Sequence, residues 1–262
     1  MPLDPGQWVL PSNPGKLWKL TSRITILATY ALSRFWIRYA NRCQLHNAEV
    51  LQHEVDKSRR EHKPLVTVSN HTSCLDDAVL CATLKVRSFF HLKHVRWTPG
   101  ASEIAFTTKR YVYYFSLGQV VPVLRGDGVY QQGMDFCLEK LNERGWTHIY
   151  SEGKVNMTKD FLRFKWGVGR LLSECLVVPT VVPMWHVGME HVLPNYPPYI
   201  PQRNKKVTVL VGQPLDFREL VDQMKEDLTS PIEMRKKLTD LIQEEMKALR
   251  AKAEALHSSR KR

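Results

Sequence analysis

The sequence predicts a single α/β domain with a mixed, mostly parallel sheet flanked by helices, and three observations agree on it. Short β-branched runs alternate with helical patterns along most of the chain. At 262 residues the chain can bury one sizeable core. No Gly/Ser-rich linker or shift in composition divides it. The expected organisation is an N-terminal segment, residues 1–56, carrying a helix at about 16–42, followed by the main domain, residues 57–262.

Residues 16–42 contain neither Pro nor Gly and read as a helix. At ~100° per residue, Lys16, Lys19, Arg23, Arg34, Arg38 and Arg42 fall within a sector of roughly 140°. Leu17, Trp18, Ile24, Ala28, Leu32, Phe35, Trp36 and Tyr39 gather on the opposite flank. The longest uncharged run, residues 24–33, would reach only about 15 Å, against a hydrocarbon core of about 30 Å. A basic stripe beside an aromatic and aliphatic face fits a helix lying in one leaflet, with Trp18, Lys19, Arg23, Ile24, Leu32, Arg34, Phe35, Trp36 and Arg38 at the membrane. A core-packing helix remains the alternative, because periodicity does not say what the apolar face touches.

After a polar stretch at 57–63, the run Leu65-Val66-Thr67-Val68 leads into Ser69-Asn70-His71. Further strands are predicted at 86–92, 119–124, 147–151, 177–187 and 206–211, with helices at 73–84, 129–144 and 161–175. Gly145 stops the second of those helices. The apolar stretch 171–193 holds Glu174, Pro179, Pro183 and His186, which favour buried strand over a membrane span. Ser230-Pro231-Ile232-Glu233 is a capping box with Pro at the first helical position. Ile232, Leu238, Leu241, Ile242 and Leu249 then recur at helical spacing, and the SSRKR tail is expected to fray.

The 38 Lys+Arg against 26 Asp+Glu give a net charge of +12 and call for a polyanionic partner. No RNA-binding aromatic signature, zinc-finger spacing or bZIP-like basic region is present, whereas tryptophans are spread through apolar surroundings, which favours an anionic membrane surface over nucleic acid. Five cysteines without a CxxC pair indicate neither a disulfide framework nor a zinc site, and no metal or cofactor is expected. The proline-rich start lacks the order of a secretory signal, so an organelle address is expected to be internal or carried by membrane affinity.

The sharpest motif is Asn70 to Asp77, NHTSCLDD, where a strand runs out and a helix begins. Five residues within a regular helix separate side chains by ~140°, so His71 and Asp76 meet only if His71 lies in the turn, with Thr72 or Ser73 as N-cap. Asp76 would then orient His71 as a general base acting on an alcohol. The alternative is a structural cap, with Asp76 or Asp77 complementing the helix dipole. Gly118 opens a run that ends on Arg125, a residue suited to phosphate, and Tyr150-Ser151-Glu152-Gly153-Lys154 ends the next strand. Each alone is also an ordinary polar turn; together, three polar strand ends are expected to share one sheet edge.

These residues resemble the glycerolipid acyltransferase family that includes the lysophosphatidate acyltransferases. Asn70, His71 and Asp76 match its NHxxxxD block, Gly118 and Arg125 its second block, Glu152 and Gly153 its third, and Val178-Pro179-Thr180-Val181-Val182-Pro183 its proline-bearing fourth. The third block departs from the common Phe-Pro-Glu-Gly, having Tyr150-Ser151 before Glu152. The resemblance implies an acyltransferase domain in which His71 and Asp76 are catalytic, and in which Asn70, Gly118, Arg125, Glu152 and Gly153 bind substrate. NHTSCLDD, EGKVNM (152–157) and WGVGRLL (166–172) draw closest to a transacylase branch of the family. That likeness implies acyl transfer between phospholipids and lysophospholipids without CoA, remodelling of cardiolipin, and peripheral attachment to mitochondrial membranes facing the intermembrane space. An acyl-CoA-dependent acyltransferase and a non-catalytic binder of anionic lipid are the rival readings, and an oligomer is left open.

Overall fold

The computed structural model describes residues 8–11, 14–158 and 160–260. Most of the proline-rich start, and Lys261 and Arg262 of the basic tail, lie outside the described residues. The elements in chain order are α1 (Lys16–Arg38), β1 (Arg42–His46), α2 (Ala48–Glu61), β2 (Leu65–Ser69), α3 (Asp77–Thr83), β3 (Thr98–Ala101), α4 (Ser102–Ala105), α5 (Lys109–Leu117) and β4 (Val120–Val123). They continue with α6 (Gln132–Asn142), β5 (Trp146–Tyr150), α7 (Gly167–Glu174), β6 (Thr180–Val187), α8 (Met189–Val192), β7 (Lys206–Val211), α9 (Arg218–Glu226) and α10 (Pro231–Ser259).

The main sheet has the order β1-β7-β6-β2-β5. All its pairings are parallel except β6 with β7, so the sheet is mixed and mostly parallel, as the sequence predicts. β3 and β4 pair in parallel, and a parallel bridge from Trp97 to Thr147 sets them beyond β5. β2 is central, flanked by β5 and β6, and all five of its residues are buried. In β7 the pleat sends Val207, Val209 and Val211 to one core and Leu210 to the other. The first core lies under α1, α2 and α3; the second lies under α6, α7 and α10. Burial on both faces explains why the strands read as continuous apolar runs.

Several boundaries differ from expectation. Residues 86–92, expected as a strand, form 3-10 turns at Val86–Phe89 and Leu92–His94. The consecutive Ser88 and Phe89 are both buried there, and Ser88 N–H bonds back to the Lys85 carbonyl, closing a turn. The first helix ends at Arg38 because Asn41 donates to the Trp36 carbonyl at 3.0 Å and the chain turns into β1, with Arg42 as its first residue. β1 and β3 were hidden from pattern reading, one by the polar residues of an edge strand, the other by Pro99-Gly100. α7 is shorter than expected, since Phe161 leaves the helix to stack on Trp185 with ring centroids 5.8 Å apart. The tail does not fray at its start: Ser258 and Ser259 complete α10, and Arg260 donates to the Val207 carbonyl at 2.6 Å.

α1 buries Ser22, Ile26, Tyr30 and Ile37 while Leu17, Leu20, Ile24, Leu32 and Phe35 remain exposed. Among the described residues, no helix is long and apolar enough to cross a membrane.

Candidate active site

The site begins where β2 ends. Asn70 is buried, and its side chain extends the β2–β6 pairing beyond the strand. Its amide donates to the His186 carbonyl and its oxygen accepts from His186 N–H, both at 2.9 Å. This latch fixes the direction in which the chain leaves the sheet toward His71. The next residues form a turn closed by one carboxylate oxygen. Asp76 Oδ2 accepts from Thr72 N–H at 2.7 Å, from Ser73 N–H at 2.9 Å and from His71 Nδ1 at 2.9 Å. Asp76 itself sits at the N-cap of α3, the position the sequence reading gave to Thr72 or Ser73.

A carboxylate only accepts, so Nδ1 of His71 carries the proton and Nε2 is left with its lone pair. The Asp76 side chain is fully buried, while that of His71 is 20% exposed, so the imidazole is the part of the pair that a substrate can reach. A second histidine approaches the same carboxylate: His186 Nε2 lies 3.6 Å from Asp76 Oδ2 and donates to the Asn70 carbonyl at 3.1 Å.

β5, the neighbour of β2, supplies the other wall. Glu152 Oε1 accepts from His71 N–H at 3.1 Å, and Asn156 N–H donates to the His71 carbonyl at 2.6 Å, so the 152–156 turn holds the His71 backbone from both sides. Gly153 permits that turn, with φ of +71° and no room for a Cβ, which would lie 2.9 Å from Lys165 Cγ. Burial raises the pKa of Glu152, against the lowering effect of the His71 amide.

Tyr150 stacks on the His71 ring with centroids 4.2 Å apart and planes at 21°. Its hydroxyl donates to Asp77 Oδ1 at 3.2 Å, while Arg96 donates to Asp77 Oδ2 at 2.9 Å and to the Gly118 carbonyl at 3.1 Å. Burial, the largest single influence, would raise the Asp77 pKa, but the Arg96 charge together with the Tyr150 hydrogen bond and the nearby histidines holds the carboxyl below its ordinary value. Burial, together with Asp77 and Asp76, pushes the Tyr150 phenol well above its ordinary value and keeps it a neutral donor. Behind the stack, His148 meets Thr67 Oγ1 at 2.7 Å and is held neutral, its pKa lowered to about 3 by burial.

The structure thus brings together His71, Asp76, Asn70, Glu152 and Gly153; the parallel pairing of β2, β5, β3 and β4 sets all three polar strand ends on one edge, as expected, but the third lies apart from the other two. Arg125 follows β4, which is separated from β2 by β5 and β3, about 14 Å at the usual strand spacing. Its guanidinium pairs at the surface with Glu103 of α4, a partner that sequence spacing could not show. Gly118 caps the end of α5, and its carbonyl is tied to the site through Arg96.

On α1, Lys19, Arg23, Ile24, Leu32, Phe35 and Arg38 are exposed, and Trp18 and Trp36 are half-buried. Arg34 differs from the expectation, turning inward to donate to the Ala82 and Leu84 carbonyls at 3.0 and 2.9 Å, where it satisfies the end of α3. Tyr150, Asp77, Arg96, Asn156 and His186 were not singled out by the sequence reading as site residues. The signals existed in the doubled Asp76-Asp77, the tyrosine in place of the family's Phe, and a histidine inside an apolar strand.

Residues 42–187 match the acyltransferase family profile. The chain is 41% identical over 255 residues to tafazzin of Drosophila melanogaster, covering 97% of this chain and 67% of that protein. It is 34% identical over 217 residues to N-acylphosphatidylethanolamine synthase of Arabidopsis thaliana, covering 80% and 75%. Its fold is similar to that of the 1-acyl-sn-glycerophosphate acyltransferase PlsC of Thermotoga maritima, with a TM-score of 0.57, 15% identity and coverage of 94% and 86%. Profile, relatives and fold agree, and the chain belongs to the tafazzin family of acyltransferases.

Proposed function

We propose that this acyltransferase moves fatty acyl groups between phospholipids and lysophospholipids without CoA, with cardiolipin and its lysolipids among its substrates, while attached to the face of mitochondrial membranes toward the intermembrane space. The observation that carries the catalytic part is the 2.9 Å contact of His71 Nδ1 with buried Asp76, which leaves Nε2 free at the surface. His71 Nε2 takes the proton of the acceptor's hydroxyl as its oxygen attacks the acyl carbonyl carbon of the donor ester. The tetrahedral intermediate collapses with cleavage of the bond to the donor's glycerol oxygen, which takes the proton back from His71. Asp76 fixes the tautomer and stabilises the transient imidazolium. Asn70 and Glu152 hold the turn that presents His71, and Gly153 lets the second wall close. Arg125 serves as the headgroup phosphate anchor by exchanging Glu103 for phosphate, two acceptors of the same kind for a guanidinium. The exposed apolar face of α1, rimmed by Lys19, Arg23 and Arg38, sets the site at the depth of the ester bonds.

Purified protein given a phospholipid with labelled acyl chains and a lysophospholipid, without CoA, is expected to move label to the acceptor, read by mass spectrometry. His71→Ala is expected to lower exchange by about 10²–10⁴-fold. Exchange that persists in that variant overturns the role of His71; label that moves only when CoA is added overturns the transacylase reading. A second reading, acylation of an amine, is favoured by the similarity to an N-acylphosphatidylethanolamine synthase. Phosphatidylethanolamine as acceptor separates the two, since an amide product survives mild alkaline hydrolysis and an ester does not.

A further inference from the structure

We propose that α5 is a second membrane-contacting element, forming with α1 one docking face for an anionic phospholipid surface. The inference rests on the membrane reading of α1 and adds to it a segment that lies about 80 residues further along the chain.

The two helices are locked together by polar and aromatic contacts on one flank of α1. Ser22 Oγ donates to the Leu117 carbonyl at 2.6 Å, Thr29 Oγ1 and Tyr114 Oη lie 3.1 Å apart, and the rings of Trp18 and Tyr113 are 6.5 Å apart at 49°. Below, α5 buries Val112 against Phe106 and Val120. What remains outward is Tyr111, Tyr113 and Tyr114, 52%, 51% and 47% exposed, beside exposed Lys109 and Arg110. On α1 the neighbouring outward residues are Leu17, Leu20 and Ile24, beside Lys16, Lys19 and Arg23.

This composition selects the partner. Neither α1 nor α5 contains an acidic residue, so the rim is uniformly cationic. An anionic headgroup layer complements it, and each nearby Lys or Arg adds about 1 kcal/mol, or roughly fivefold, to binding. Half-exposed Tyr111 and Tyr113 suit the same layer, with rings toward the acyl chains and hydroxyls toward the headgroups, while the Tyr114 hydroxyl is engaged by Thr29. A symmetric contact between two copies would set this cationic rim against itself, with no acid in either helix to offset the repulsion. Nine residues rise only about 14 Å, so α5 lies along the surface and does not cross it.

The test is flotation of the full chain with vesicles of phosphatidylcholine alone or mixed with an anionic phospholipid. Substitutions fall at exposed positions, and unfolding midpoints equal to the parent's verify folding. Tyr111→Glu is expected to weaken binding at least fivefold. The double variant Lys109→Gln/Arg110→Gln is expected to lose about fivefold per charge on anionic vesicles and little on neutral ones. Leu176→Glu, an exposed position just past α7 on the opposite side of the sheet, is expected to bind as the parent does. If the α5 variants bind like the parent while Ile24→Glu is weakened, the α5 inference fails and the α1 reading stands. If Ile24→Glu also binds like the parent, the reading beneath it fails. An equal loss in Leu176→Glu, or a lipid-free dimer that Tyr111→Glu dissolves, also overturns the proposal.

Discussion

The turn at His71 and the outer face of α1 both invert the usual placement of side chains, in opposite senses. The turn buries the carboxylates of Asp76 and Glu152, whereas α1 exposes Leu17, Ile24, Leu32 and Phe35. The buried carboxylates are held by hydrogen bonds from within the chain; Asp76 Oδ2 alone accepts three. The exposed apolar side chains find no such compensation in the chain, and water on them costs about 25 cal/mol per Å². A carboxylate held in one orientation by the chain is poised for chemistry, and an apolar face that the chain leaves open is poised to be covered.

The largest effect expected from this contrast is catalytic. Asp76→Asn keeps the shape of the turn but destabilises the imidazolium and the tautomer, and exchange is expected to fall by about 10²–10⁴-fold with vesicle binding unchanged. Steady-state exchange and flotation on the same preparation check it, and loss of both together breaks the separation between turn and face.

The next is a contrast in stability between two amphipathic helices. Ile242→Ala, in the buried stripe of α10, is expected to cost about 2–5 kcal/mol, and Leu32→Ala, on the open face of α1, to stay within about 0.5 kcal/mol. Urea unfolding measures both, and a large loss at Leu32 would make the α1 face part of the core.

A smaller effect is expected behind the catalytic ring. Tyr150→Phe keeps the stack on His71 and is expected to hold exchange within about threefold, while Tyr150→Ala removes the ring and is expected to lower kcat by about tenfold or more with KM little changed. Equal losses would shift the weight from the ring to the Asp77 contact.

The smallest concerns pH. His148 is neutral in the folded chain down to about pH 3 but protonates near 6.5 once unfolded. The unfolded state therefore binds more protons in that window, and stability is full above pH 6.5 and falls as pH drops toward 3, by at most about 1.4 kcal/mol per unit. In His148→Gln this slope is expected to flatten, as read by unfolding between pH 7 and pH 4.5; an unchanged slope would assign acid sensitivity to other groups.

Much of this was legible in the chain. The central strand, the Asn70-His71-Asp76 turn, the Glu152-Gly153 turn and the capped last helix follow from local patterns, and local patterns are what sequence spacing reports. The edge strand β1 and the Pro-Gly strand β3 were not, because their strand character comes from the neighbours that hydrogen-bond them. Arg125 illustrates the same limit: its place at a strand end was readable, but its distance from His71 and its pairing with Glu103 depend on how many strands intervene.

By itself the sequence determined that His71 and Asp76 could meet, since five residues of turn decide it, and that α1 and α10 each own an apolar stripe. Only the tertiary structure decided that α10 sets Leu238, Ile242 and Leu249 into the core and leaves Ile232 and Leu241 exposed, while α1 buries Ser22, Ile26, Tyr30 and Ile37 and leaves Leu17, Leu20, Ile24, Leu32 and Phe35 uncovered. Only it set Tyr150 over the imidazole, and Arg96 between Asp77 and Gly118. The physical reason is that periodicity fixes the direction of a side chain relative to its own element, whereas burial and pairing depend on which distant element arrives there.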